Sequence, residues 1–308
     1  MTENNKFMDD EISLFDLIKL LWGKKWLIIR FVTAVTVISI IYSLFAPEIY
    51  KSEALLAPKT SSQGSIGQIG GSIGGIAALA GLDIGSLGSG NENRSKIALE
   101  TLQSRKFFTD YLYEHMLVNL MAADNWDQES DQLVIDENIY DSQKKQWISR
   151  DNSSGKPSLQ KAYKKFEDIF DVYEDKLTGF ISVSVEHYSP NIAKSWVDLI
   201  VYSINESMRQ ADINKSEKSL NFLIDKLNIS NQVTMNNVFS NLIEEQTKIR
   251  MLADIAEDYV FVTIDPAIAS ETRERPKRTI IVVSSSLIAG FMISLYILIR
   301  EFYFKRKD

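Results

Sequence analysis

The sequence predicts an α+β membrane protein in which two transmembrane helices flank an external α+β domain carrying a long projecting helix. Three observations lead there: two long apolar runs, short alternating segments just inside each of them, and a stretch from Lys215 to Glu257 with neither proline nor glycine. The first run, Trp26 to Phe45, holds one charge, Arg30, and the second, Ile280 to Ile299, holds none. About 20 apolar residues at ~1.5 Å each cover a hydrocarbon core of roughly 30 Å. The chain therefore divides into an N-terminal segment (1–25), a first span (26–45), a large domain (46–278), a second span (279–299) and a tail (300–308).

The first run is too long for a signal peptide core, an acidic stretch (Asp9, Asp10, Glu11) precedes it, and Pro47 after Ala46 is hostile to cleavage, so an uncleaved anchor is expected. Basic residues set its orientation. Lys19, Lys24 and Lys25 precede the first span, while Arg300, Lys305, Arg306 and Lys307 follow the second, which puts both termini in the cytoplasm. Arg273, Arg275, Lys277 and Arg278 outside the second span oppose this, but a long loop translocates largely regardless of charge. Arg30 lies about a turn inside the span and can snorkel to the headgroups.

Of 41 acidic and 34 basic residues, 34 and 25 fall between Ala46 and Arg278, a net −9 there against +2 elsewhere. Such a domain is a poor partner for nucleic acid, and none is expected. Without cysteine there is no disulfide, thiolate nucleophile or sulfur-bound metal.

Along the domain, Tyr50 to Leu56 reads as a short strand beside the first span. A Gly-rich loop follows over 61–90, with Ile or Leu about every third residue and no lysine to make a phosphate loop. Ser95 to Glu114 predicts a helix, Asp124 to Pro157 a polar excursion, Ser158 the cap of a helix reaching Tyr173, and Phe180 to Val185 a half-buried strand. Ser189-Pro190 opens a helix to about Gln210. The long helix over 215–257 then carries a 3-4 apolar stripe of Met235, Val238, Leu242, Ile249 and Leu252, with Asn228, Ser230 and Asn231 as a possible bend. Tyr259 to Ile264 alternates as a strand that Asp265-Pro266 ends, and the two membrane-proximal strands should pair in one sheet. In the second span Ser286, Gly290 and Ser294 recur every four residues, a small-residue ridge suited to a close helix contact, although small residues are common in spans.

Catalytic signals are missing. The two histidines, His115 and His187, lie far apart in sequence, and solvated helix faces explain Glu244-Glu245 and Glu257-Asp258. No G-x-S-x-G, S-x-x-K or kinase signature occurs, so neither an enzyme nor a cofactor is expected.

Several stretches together resemble the Wzz-type polysaccharide chain-length determinants, or polysaccharide co-polymerases. They are EISLFDLIKLLWGKKWLI before the first span, IYKSEALLAP after it, EHYSPNIAKSWVDLIVYSIN, and LIEEQTKIRMLADIAEDYVFVTIDPAIASETRERPKR before the second span. The resemblance implies a ring-like homo-oligomer in the bacterial inner membrane, with the large domain in the periplasm. It further implies that the chain sets, without catalysis, the modal length of a lipid-linked polysaccharide such as O-antigen, made by a Wzy-type polymerase. Where the family has a proline-rich membrane re-entry segment, this chain has only Pro266 and Pro276. With nine residues after the second span, the form without a cytoplasmic tyrosine kinase is expected. The competing readings are a two-span periplasmic sensor, a polysaccharide export component and a glycan-modifying enzyme.

Overall fold

The computed structural model describes residues 21–59, 90–148, 155–229 and 232–305. The expected Gly-rich loop up to residue 89, the first twenty residues, Ser230 with Asn231, and the last three residues lie outside these. In chain order the elements are α1 (Lys25–Phe45), β1 (Tyr50–Pro58), α2 (Gly90–Leu102), α3 (Arg105–Phe107), a π-helical turn (Phe108–Leu112), α4 (Tyr113–Ala122), β2 (Ala123–Asp127), β3 (Gln132–Ile135), β4 (Tyr140–Asp141), β5 (Gln146–Trp147), α5 (Leu159–Ile169), β6 (Phe170–Glu174), β7 (Ile181–His187), α6 (Pro190–Ile229), α7 (Val233–Ile255), β8 (Phe261–Asp265) and α8 (Arg278–Lys305). They form two units, one of Met1–Glu48 with Glu274–Asp308, the other of Ile49–Arg273.

In the larger unit an antiparallel sheet runs in the order β6-β7-β1-β8. Strand β1 is central, pairing Tyr50 to Leu56 with β7 and Leu55 to Pro58 with β8. The two strands nearest the apolar helices in sequence are thus neighbours. Period-2 alternation sends Ala54, Leu56, Ile181, Val183 and Val185 into the core and leaves Lys51, Glu53 and Ser182 on the other face. Against the inner face lies the first half of α6, whose Trp196, Val197, Ile200 and Ile204 recur at helical spacing and are buried. Phe107, Phe108 and Phe166 fill one end of this core.

Three predicted elements need correction. The helix capped by Ser158 ends at Ile169 rather than Tyr173, because Phe170 to Glu174 pairs with β7 as an edge strand. The helix expected from Ser95 to Glu114 breaks after Leu102, where the Ser104 side chain accepts a hydrogen bond from the Phe107 N–H and starts a new one. The single long helix over 215–257 is in fact parts of two. Helix α6 runs unbroken for 40 residues to Ile229, about 60 Å, and α7, from Val233, packs along it. Leu223 and Ser216 on α6 and Ala253 on α7 are the buried contact points of this hairpin.

His187, at the end of β7, is buried with its ring 4.7 Å from that of Trp196. Its Nδ1 accepts the Ser189 N–H, so Nε2 carries the proton and donates to the Asn119 carbonyl. Burial, foremost, holds its pKa down at about 4, against 6.5 in the free side chain. The unfolded chain then takes up this proton near pH 6.5 and the folded chain only near 4. The stability tied to the neutral ring is complete above about pH 6.5 and falls, by roughly 3 kcal/mol in total, as pH drops toward 4. Denaturation of the detergent-solubilised protein at pH 7.5 and 4.5 checks this; His187→Gln should flatten the dependence.

Candidate functional site

The smaller unit is built from α1 and α8, both long and apolar enough to cross a membrane and mostly exposed along their apolar faces. They pack on each other through Ala289, Ile293 and Ile297 of α8, and Ser285 Oγ donates to Ser39 Oγ at 2.9 Å. An ion pair closes each end, Lys24 with Glu301 and Arg278 with Glu48, both 2.9 Å. The half-exposed pairs contribute up to about 1 kcal/mol each and chiefly fix register.

Of the predicted ridge, Gly290 faces this contact. Ser286 and Ser294 hydroxyls donate to carbonyls of their own helix, at Val283 and Gly290. A Cβ at Gly290 would sit 3.8 Å from Val32 Cγ2 of α1, an ordinary contact. At this point Gly290 meets the same chain's other apolar helix. Gly290→Ala should therefore fit, whereas the larger Gly290→Leu should push α1 and α8 apart. The chain has no cysteine, so a Ser39→Cys/Ser285→Cys pair reports the contact cleanly. Its disulfide should form within one chain, persist with Gly290→Ala, and drop severalfold with Gly290→Leu; crosslinked dimers instead would assign the ridge to a second copy.

Along α7, Met235, Val238, Leu242 and Ile249 are half-buried. Leu252 departs from the predicted stripe: it is 50% exposed, and Ala253 takes the fully buried position beside α6. A straight helix drifts by about 20° per heptad from a strict seven-residue repeat, which carries the seam from 252 to 253. Met251, Leu252 and Ile255 are left facing outward as an apolar patch.

After α7 the chain is pinned by one side chain. Asn205, buried on α6, accepts hydrogen bonds at Oδ1 from the N–H groups of Tyr259 (3.1 Å), Val260 (2.8 Å) and Phe261 (3.0 Å), and its Nδ2 donates to the carbonyls of Phe261 (3.1 Å) and Val201 (3.3 Å). Beside it Tyr259 Oη donates to Asp212 Oδ2 at 2.6 Å, and Arg94 pairs with the same carboxylate while lying 4.9 Å over the tyrosine ring. Burial, aided by the bond to Asp212, pushes the Tyr259 phenol up to about 12. This cluster ties α2, α6 and the returning strand together. Sequence reading missed it; the available signal was an asparagine inside the apolar stripe of a helix, where a buried amide needs partners. Pro266 is exposed just past β8, followed by buried Ala267, and Pro276 is half-buried ahead of α8. Just after Pro266 the Ile268 carbonyl accepts a hydrogen bond from the Ser52 hydroxyl at 2.7 Å.

No group of three or more His, Asp or Glu side chains among the described residues is placed to hold a metal ion. His115 is exposed and His187 is enclosed by the core. The arrangement supplies two long apolar helices, a packed hairpin and surfaces.

Residues 10–115 match the family described as Wzz, chain length determinant protein. Among curated proteins nothing matches. A solved structure titled full-length bacterial polysaccharide co-polymerase is similar at 12% identity and a TM-score of 0.39, covering 95% of this chain and 99% of its own.

Proposed function

From the match of residues 10–115 to the Wzz chain length determinant family, we infer a regulator of the modal length of a lipid-linked surface polysaccharide, O-antigen or a similar polymer. That match is the observation that carries the reading. The chain acts as a scaffold in the bacterial inner membrane, with α1 and α8 spanning it, both termini cytoplasmic and the larger unit periplasmic. Two apolar helices at opposite ends of the chain support the placement. Copies assemble into a ring, and the outward patch of Met251, Leu252 and Ile255 supports such contacts. The ring raises the local concentration of a Wzy-type polymerase and its growing glycan, so that many weak contacts act together without new chemistry.

The test is the glycan ladder of a deletion strain on a gel. Polymer should still be made while the preferred length disappears. An unchanged modal length overturns the reading, and an altered sugar composition would favour a glycan-modifying enzyme.

A further inference from the structure

We propose that a cleft between the flank of α6 and the returning chain binds an uncharged stretch of the glycan, an inference that rests on the chain-length reading above. The cleft, about 380 Å³, lies within the larger unit. That is the low end of the range for small-molecule sites, room for about two sugar rings. Its floor is small and largely apolar, with Ala54 and Ala267 buried there and Asn205 already saturated by the bonds described above.

Three features select the ligand class. Tyr202 stands at the cleft 68% exposed, a flat ring that nothing in the fold requires at the surface. The C–H face of a sugar ring stacks on such a surface, while a tyrosine hydroxyl keeps its wet side solvated. Polar groups then surround the ring: Glu206 holds Arg209 through two bonds of 2.8 Å, and the chain opposite contributes Glu257 and Asp258. Carboxylates and a fixed guanidinium match the paired acceptors and donors of vicinal hydroxyls. Charge excludes the alternatives. With Asp198 the lining carries four carboxylates against one guanidinium, so a phosphate or an acidic polymer is repelled. Lys194 pairs with Asp198 without reversing that sign. The site adjoins the Asn205 cluster: Asn205 and Glu257 belong to the segments that the return of the chain brings together. A glycan seated here would bridge α6 to the chain leading toward α8, so its occupancy would register on the part of the fold that the hairpin and the sheet share.

The experiment uses the full-length protein in detergent and oligosaccharides of one to three repeats released, lipid-free, from the cell's own polymer, with dextran sulfate as the polyanionic control. Saturation-transfer NMR should show saturable binding of the released repeats and none of dextran sulfate. Tyr202→Ala should weaken it at least tenfold, and Tyr202→Phe should stay within twofold. Because the side chain is exposed, neither change should disturb the fold, which unchanged thermal melting verifies. Absence of binding by the wild type, preference for dextran sulfate, or equal binding by Tyr202→Ala overturns the proposal. So does a Tyr202→Ala protein whose oligomer dissociates while its sugar binding is intact, since the occupant is then a second copy. If binding fails while the deletion strain still loses its preferred length, only the cleft assignment falls; if that ladder is unchanged, the chain-length reading falls as well.

Discussion

Asn205→Leu should lower the unfolding free energy by at least about 3 kcal/mol, because it removes one acceptor from three backbone N–H groups at once, two of them buried. Each buried donor left without a partner costs about 1–3 kcal/mol, and a domain's whole stability is only about 5–15 kcal/mol. Leucine keeps the heavy-atom skeleton of asparagine with two bulkier methyl groups, so no cavity opens and the loss comes from the hydrogen bonds and the tighter fit. The backbone N–H groups of Tyr259, Val260 and Phe261 are tied to α6 by this amide, and proteolysis should therefore cut first between α7 and β8. Tyr259→Phe gives the scale: it removes one phenol bond to Asp212, with an expected cost of about 1 kcal/mol. Urea denaturation of the three detergent-solubilised proteins orders them, and an Asn205→Leu midpoint equal to that of wild type would remove the staple from the account.

The second large effect separates two positions three residues apart. Ile249 is half-buried in the α6–α7 seam, while Leu252 is half-exposed on the outer side. Ile249→Asp places a carboxylate against apolar side chains and should cost about 1–3 kcal/mol or more. The hairpin should loosen, with faster hydrogen exchange along α7. Leu252→Asp should leave monomer stability within about 0.5 kcal/mol, the ordinary range for a surface change. Its effect belongs to assembly: combined with Ile255→Asp, it should shift the detergent-solubilised oligomer toward smaller species. Equal destabilisation by Ile249→Asp and Leu252→Asp would contradict the seam through Ala253.

Patterns strong over a short range were readable in the sequence. Apolar runs marked α1 and α8, alternation marked β1, β7 and β8, and the adjacency of β1 and β8 followed from where the runs and strands lie. The continuity of α6 was not readable. Between the helix expected to about Gln210 and the one expected from Lys215, Ala211 to Asn214 (ADIN) has no apolar stripe to join them. It stays helical because the helix on either side is packed, against the sheet before it and against α7 after it, and the narrow seam there needs only Ser216. Likewise β6 was absorbed into the preceding helix, since Phe170 continues its apolar rhythm and only pairing with β7 makes it a strand. The Asn205 cluster depends on residues more than fifty positions apart, a distance at which no local pattern exists.

The most direct measurement is the length distribution of lipid-linked polymer in deletion cells resupplied, at matched protein levels, with wild type, with Leu252→Asp/Ile255→Asp, or with Glu244→Gln/Glu245→Gln. If assembly sets length, wild type and the carboxylate variant restore the preferred length. The assembly variant makes the same total polymer with a broadened or shortened distribution. A preferred length fully restored by a chain whose oligomer has dissociated, or abolished by neutralising Glu244 and Glu245 alone, would contradict the account.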